Sequence, residues 1–512
     1  MFKFIGQKEN KPALILLTKD GREIVWSWNE YYEKALIAAH SMRLKGVRES
    51  DLVAIIPLNL PESFAVMLGI ILLGAIPVPI NPRIVKEPGQ KELKAILDDC
   101  NPQMVLVNEC LEKHLEDTPC MSLETLLNSD QGRLIQPKTK FWEKEPFIIP
   151  YTSGTTGGPK GVVLGAGCVF DRVSSILKEL DTEPSERILS YLPLGHISEL
   201  VASFFGQLQG GYCVYFTEHI KDIVDNPKSF RTAFPRVLQK IRPTAFLAAP
   251  RVWANFRTEI RRIIRFIPVN LNRRGLVRYF LAKKVRRGLG LSMARVLISA
   301  AAKLSTEDRE FFASLGMHIY DIYGQTETGG PLLLDGEPIG NTYVIVGRDE
   351  HREIMVTGQN VMLGYYNNKT ETEKVLDGGI YHTDDIGRID PDGRIFYAGR
   401  LGDRVKNAQG EFVDPEKIDE LESQIRQIPG VGEVAVYVES KPYPVAIIFG
   451  AAPFEELRHE LEKSLPIIGG GFYRVKNFMI VDISELELLL TPTFKLKRKA
   501  VFDKFKEAIE RL

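Results

Sequence analysis

A chain of 512 residues is longer than one ordinary hydrophobic core supports, so at least two domains are expected. Lysine plus arginine equals aspartate plus glutamate, at 66 each, and net charge therefore gives no argument for a nucleic-acid or acidic partner. The five cysteines, Cys100, Cys110, Cys120, Cys168 and Cys213, form no CxxC pair and no zinc-like spacing, which predicts free thiols in a reducing compartment and argues against a structural metal.

The N-terminal MFKFIGQKENKPAL lacks an apolar core followed by a small-residue cleavage site, so no secretory signal is read and a cytoplasmic chain is expected. Residues 1–145 alternate helical and strand-like patterns, as a layered α/β sheet requires. Trp28 to Leu44 has apolar residues at helical spacing, Leu52 to Pro57 reads as a short buried strand, and Pro61 to Leu73 as a helix whose first turn tolerates its proline. The longest apolar run, Phe64 to Ile80, carries Pro77 and Pro79 and is too short to span a bilayer comfortably; it reads as a buried helix turning into a strand.

Between the apolar runs Phe147–Tyr151 and Val162–Leu164 lies Thr152-Ser153-Gly154-Thr155-Thr156-Gly157-Gly158-Pro159-Lys160-Gly161. Four hydroxyls, four glycines and a lysine within ten residues predict a strand-loop-strand turn whose backbone N–H groups converge on an anion, with polyphosphate the natural guest. A Walker-type loop would need Ser or Thr where Gly161 follows Lys160, and a helix directly after it.

Further on, Cys168 to Leu180 reads as a helix, and Tyr191-Leu192-Pro193-Leu194-Gly195-His196 ends on a histidine of a kind more often packed in a core than functional. From Arg257 to Arg287 eleven lysines or arginines face one acid, Glu259, interleaved with apolar residues. Such a stretch suits an anionic membrane surface or a solvated helical hairpin, and with no accompanying motif it does not argue for nucleic acid. Tyr323-Gly324-Gln325-Thr326-Glu327 reads as a loop, and from about Leu401 a smaller α+β pattern begins: a helix within Val413–Gln427, strands near Val434–Val438 and Val445–Phe449, and a helix over Phe454–Leu465.

The TSGTTGGPKG loop closely resembles the signature loop of the adenylate-forming enzymes, which include acyl-CoA synthetases, luciferases and peptide-synthetase adenylation domains. YLPLGH at 191–196, YGQTE at 323–327, YHTDDIGRID at 381–390, GRLGDRVK at 399–406 and TPTFKLKR at 491–498 follow in that family's order, so the likeness covers nearly the whole chain. It implies an α/β fold with a large multi-sheet N-terminal domain, residues 1–400, that binds AMP and the acyl group, and a small mobile α+β C-terminal domain, 401–512, hinged near Gly402.

The resemblance also implies residue roles. Thr152, Ser153, Gly154, Thr155, Thr156, Gly157 and Lys160 would hold the outer phosphates. Ala300, Ala301 and Ala302 would lie against adenine and the acyl group; Tyr323 and Gly324 would meet adenine, with Gly324 also near the acyl group; Thr326 would bond the α-phosphate and Glu327 would ligate Mg²⁺. His196 would orient the acyl carboxylate, and Trp253, in a turn resembling the family's PxVW, would line an acyl tunnel or serve as a buried structural residue. Asp385 would bind the ribose hydroxyls and Arg400 the ribose and phosphates, while Lys495 would bridge carboxylate and α-phosphate. The chain departs from the family's pattern at Ala300, Ala301, Lys303, Asp384, Gly402 and Phe494.

The activity so implied is ATP- and Mg²⁺-dependent activation of a long-chain fatty acid to acyl-AMP and then, with coenzyme A, to acyl-CoA, releasing AMP and pyrophosphate. Two alternatives are a fatty acyl-AMP ligase that loads an acyl carrier protein and a nucleotide-binding scaffold with weak or no catalysis. The chemistry itself needs no general base, because a carboxylate is already ionised at neutral pH. Catalysis then consists of bringing two anions together and neutralising their charge.

Overall fold

The computed structural model describes residues 10–115, 118–128, 135–154, 158–218, 227–264, 275–300, 302, 304–349, 351–409, 412–413, 415–451, 453–490 and 496–512. They form two units, one of Met1–Val344 with Met355–His382, the other of Ile345–Ile354 with Thr383–Leu512.

Local chemistry accounts for the first elements. Ser27 starts the helix Trp28–Leu44 with a capping box: its hydroxyl accepts from the Glu30 N–H at 3.2 Å while the Glu30 carboxylate accepts from the Ser27 N–H at 2.7 Å. Pro61 occupies the first turn of the helix Pro61–Leu73, where no backbone donor is needed, and Gly74 ends it in the left-handed region at φ 83°. The strand Leu52–Ile56 lies between Ile76–Pro79 and Met104–Val107, with Met121–Ser122 beyond, all parallel. Val53 to Ile56 are wholly buried, which explains why that strand is a continuous apolar run and not an alternating one.

Three further sheets of described residues lie in the first unit. One orders Arg187–Leu189, Cys213–Thr217, Pro12–Leu17 and Glu23–Ser27. A second orders Ala245–Ala248, Val296–Ser299, Tyr320–Gln325, Gly330–Leu334 and Glu337–Pro338, the first three parallel. The third is built on the long strand Gly158–Gly165, which carries Tyr151–Gly154, Pro146–Ile148 and Gly364–Tyr365. Chain order alone does not suggest the last pairing, and it positions much of the site.

In the second unit the strands Val431–Tyr437, Val445–Gly450 and Asn477–Asp482 form a sheet whose two faces bury separate cores. Val434, Val436, Ala446 and Ile448 face the helices Pro415–Ile425 and Phe454–Ser464; Ala435, Ile447 and Phe449 face Leu486, Leu489, Val501 and Ile509. That alternation is the two-residue period of a strand covered on both sides.

The basic stretch forms two helices, Pro250–Ile264 and Gly275–Leu289, with 265–274 outside the described residues. Part of its charge is committed inward: Arg257 pairs with Asp308 at 2.8 Å and with Glu307, and Arg261 pairs with Glu307 at 2.9 Å. Among the described residues no helix is long and apolar enough to cross a membrane, and no disulfide joins the cysteines.

Candidate active site

The hydroxyl-rich stretch is a β-hairpin. Tyr151–Gly154 runs antiparallel to Gly158–Gly165, with Thr152 opposite Lys160, Ser153 opposite Pro159 and Gly154 opposite Gly158. Thr155, Thr156 and Gly157, which fall between these strands in the sequence, lie outside the described residues. The hairpin's base is tied down: the Tyr151 hydroxyl donates to Asp99 Oδ2 at 2.5 Å, and the Val162 N–H donates to the Pro150 carbonyl at 2.9 Å.

Lys160 meets a segment that sequence reasoning did not connect with it. Its ammonium lies 2.6 Å from Glu371 Oε2 and 5.1 Å from the centre of the Tyr365 ring. Hydrogen bonds from Lys160 first, then from Lys374, pull the Glu371 carboxyl down to about 2. The same Tyr365 donates its hydroxyl to Glu327 Oε1 at 2.9 Å, and burial, then the Glu327 charge, pushes that phenol up. Tyr365 is held because its strand pairs with the phosphate hairpin, Tyr365 opposite Val162, and because the Tyr366 N–H donates to the Gly161 carbonyl at 2.7 Å. Lys160, from the phosphate hairpin, and Glu327, from YGQTE, thus share one tyrosine.

YGQTE is not wholly a loop. Tyr323, Gly324 and Gln325 end the strand Tyr320–Gln325, and Thr326–Thr328 is a 3-10 turn. The strand persists because Val296–Ser299 pairs with one edge and Gly330–Leu334 with the other. Gly324 sits at a register shift where a Cβ would come 2.0 Å from the Gly330 carbonyl oxygen, a close approach that only glycine allows. Gln325 accepts from the Tyr381 hydroxyl at 2.5 Å, and the Glu327 carbonyl accepts from the Met362 N–H at 2.8 Å.

Ala300 directly follows the neighbouring parallel strand, in which Ser299 stands opposite Asp321, and its N–H donates to the Ala248 carbonyl at 3.2 Å. Ala300 and half-buried Ala302 thus belong to the carboxyl-terminal edge that also carries Tyr323 and Gly324, the edge where parallel sheets bind ligands. Ala301 and Lys303 lie outside the described residues.

His196 caps a short helix, Ile197–Glu199, that packs against Gly330–Leu334, so it belongs to the same neighbourhood. Burial first, then the Arg83 charge, holds its imidazole below the usual value, which leaves the ring neutral at pH 7. Behind it the fully buried Glu199 accepts from Ser190 and Ser203, each at 2.6 Å, and Ser190 in turn accepts from Asn59 at 2.8 Å. Trp253 is wholly enclosed by Phe246, Phe256 and Phe312, with ring centres 5.5, 6.1 and 5.4 Å away, and its indole N–H donates to the Ile298 carbonyl at 3.2 Å.

In the second unit Asp385 is 2% exposed and lies 3.2 Å from Arg400 Nε, because the strand Ile380–Ile389 pairs antiparallel with Ile395–Arg400 in a register that sets the two residues opposite each other. Asp384 occupies the left-handed region at φ 58°, which aspartate tolerates better than most residues other than glycine. Its N–H donates to Glu353 at 3.0 Å. Lys495 lies outside the described residues; on either side of 491–495, Leu490 bridges Leu496, the Lys497 N–H donates to the Leu489 carbonyl at 2.8 Å, and Arg498 pairs with Asp419 and, at 2.7 Å, with Glu422.

Glu371 and Tyr365 are the site residues that motif reading missed. Asn368-x-x-Glu371 reads as an ordinary helix start, and Asn368 does cap the helix Lys369–Val375 by accepting from the Glu371 N–H at 3.1 Å. The cap aims Glu371 toward the hairpin, and nothing in the spacing announces that.

The chain is 26% identical over 477 residues to long-chain-fatty-acid–CoA ligase ACSBG2 of Gallus gallus, an alignment that covers 78% of this chain but 61% of that relative's length. Its fold matches McyG A-PCP complexed with phenylalanyl-adenylate at a TM-score of 0.79 and 17% identity, covering 98% of this chain and 81% of that one. It also matches the O-succinylbenzoate coenzyme A synthetase MenE of Bacillus subtilis in complex with AMP, at 0.73 and 21% identity, covering 96% and 95%. The AMP-binding enzyme model matches residues 2–366, and the chain belongs to that family, with the fold of the adenylate-forming enzymes.

Proposed function

We propose that the protein activates a long-chain fatty acid with ATP, first to acyl-AMP and then to acyl-CoA. The observation that carries the reading is the shared tyrosine: Tyr365 brings Lys160 and Glu327 together, the cation suited to outer phosphates and the carboxylate suited to a divalent metal.

The residues suit Mg²⁺. Among the described residues no group of three or more His, Cys, Asp or Glu forms a self-sufficient metal cage. A site built on the single carboxylate of Glu327 is what Mg²⁺ uses when substrate phosphates supply the other ligands. The metal would contribute charge neutralisation on those phosphates.

In the first half-reaction a carboxylate oxygen attacks the α-phosphorus, a new O–P bond forms, and the bond to the β-phosphate oxygen breaks to release pyrophosphate. Thr152 and Lys160 hold the outer phosphates, Thr326 donates to the α-phosphate, and Lys495 screens the two approaching anions. The neutral His196 donates a hydrogen bond to the fatty carboxylate without holding it as a salt. Asp385 accepts from the ribose hydroxyls, a fitting use of an acceptor-only group, with Arg400 Nε 3.2 Å from its Oδ1. In the second half-reaction the thiol sulfur of coenzyme A attacks the acyl carbon and AMP leaves.

The likeness to a long-chain ligase supports fatty acids over other carboxylates. Pyrophosphate release measured across acids of graded length tests the substrate class, and Lys495→Ala tests the assignment. The variant is expected to lose at least about 100-fold in adenylation, the scale of removing one preorganised charge at developing charge. Equal rates in variant and wild type would refute it. Mass spectrometry of the thioester formed with coenzyme A or with a carrier protein identifies the acceptor. A peripheral contact with anionic lipid through 257–287 is proposed for the basic residues beyond Arg257 and Arg261, and liposome flotation with and without anionic lipid tests it.

A further inference from the structure

Lys160 does not wait for phosphate with a free ammonium. Glu371 Oε2 is 2.6 Å from it, and both side chains are largely covered, at 18% and 24% exposure. The carboxylate is not a passing partner either, because it sits in the first turn of a helix whose start is fixed by Asn368. Its other oxygen is engaged by Lys374, which is mostly exposed. Tyr365 lies beneath the ammonium, its ring attracting the cation whichever anion it faces.

A lysine that must serve polyphosphate therefore has a competing anion built into the same unit. A doubly or triply charged phosphate group outbids one carboxylate, and as it departs the carboxylate recovers the lysine. From this geometry we infer that Glu371 is an internal substitute for the nucleotide's outer phosphates, holding Lys160 between turnovers and taking it back as pyrophosphate leaves. Lys374 tunes the exchange, since the charge it shares with Glu371 weakens the hold on Lys160. The inference rests on the reading that Lys160 meets phosphate, and it adds a residue that sets how tightly pyrophosphate and ATP are held.

Two variants push in opposite directions. Glu371→Gln removes the competing charge but keeps the side chain's shape, and it should tighten Mg²⁺–pyrophosphate binding, and lower KM for ATP, roughly threefold to tenfold, the range for an ordinary net hydrogen bond. Its kcat should fall where pyrophosphate release limits turnover. Lys374→Ala leaves Glu371 to Lys160 alone and should weaken pyrophosphate binding and raise KM for ATP. Isothermal titration with Mg²⁺–pyrophosphate and product-inhibition kinetics read both effects, and circular dichroism confirms folding. If Glu371→Gln does not fold, the sign of the Lys374→Ala shift decides.

Unchanged constants in both variants of an active enzyme would reduce the contact to a surface ion pair and overturn the inference. Weaker pyrophosphate binding in Glu371→Gln would overturn it as well, by making Glu371 a residue that aims Lys160 at phosphate. A wild type that neither binds pyrophosphate nor releases it from ATP would remove the proposed function and the inference together, an outcome distinct from the other two.

Discussion

At the scale of single residues, burial decides which charges this protein carries. Glu199 is wholly enclosed, and that burial pushes its carboxyl up to about 7 although hydrogen bonds from Ser190 and Ser203 oppose the rise. Because the folded value lies above the unfolded one, the folded state binds the extra proton. The associated stability is fully present below about pH 4.5 and is lost as pH rises through about 7, by up to about 3 kcal/mol. His196 acts in the other sense, since its lowered value makes stability fall as pH drops below about 6.5. Glu199→Gln removes the first dependence and leaves the second. Thermal unfolding scans from pH 5 to 8.5 should show the wild type losing several degrees against the variant as pH rises, and parallel curves would show that Glu199 stays ionised throughout.

At the scale of elements, the small unit carries a chain of charges centred on the buried Glu422. Arg498 joins Asp419 and Glu422, and Glu422 also meets Arg426, which pairs with Glu433. Glu422 is 1% exposed and its other oxygen accepts from the Val436 N–H at 2.9 Å, so one carboxylate links the helix Pro415–Ile425, the strand Val431–Tyr437 and the helix Arg498–Lys504. Arg498→Met should destabilise this unit by about 2 kcal/mol, less than breaking a fully buried pair because Arg426 remains. Amide hydrogen exchange should quicken in Pro415–Ile425 and Val431–Tyr437 and stay unchanged in Pro61–Leu73; uniform protection would show that the network contributes nothing. Elements of this kind were also the legible part of the chain. Trp28–Leu44 and Pro61–Leu73 announce themselves through a capping box, an N-terminal proline and a closing glycine, all local signals. The end of Tyr320–Gln325 reads as a loop in the sequence because what makes it a strand is pairing with Gly330–Leu334, which composition does not record. Tyr365 and Glu371 were missed for the same reason: their link to Lys160 depends on a pairing between distant stretches, and locally they look like a turn and a helix start.

At the scale of the whole molecule, the proposed reaction would need two arrangements around one adenylate, and the rotation of the small domain proposed for it would pivot on the backbone near Gly402. Gly402 lies in the 3-10 turn Leu401–Asp403 that directly follows Arg400. Its φ is outside the left-handed region, and a Cβ there would stand 3.6 Å from the Asp384 carboxylate, an ordinary contact. The resting conformation therefore does not require glycine; freedom to change backbone angles does. Proline at this position fixes φ near −65° and removes that freedom. Gly402→Pro should accordingly leave the first half-reaction within about threefold of wild type and slow thioester formation by at least about tenfold. Single-turnover quench separates them, with pyrophosphate release reporting the first step and acyl-CoA the second. Equal loss in both steps would mean that residue 402 supports the adenylate site itself, and no loss in either would place the pivot elsewhere in the chain.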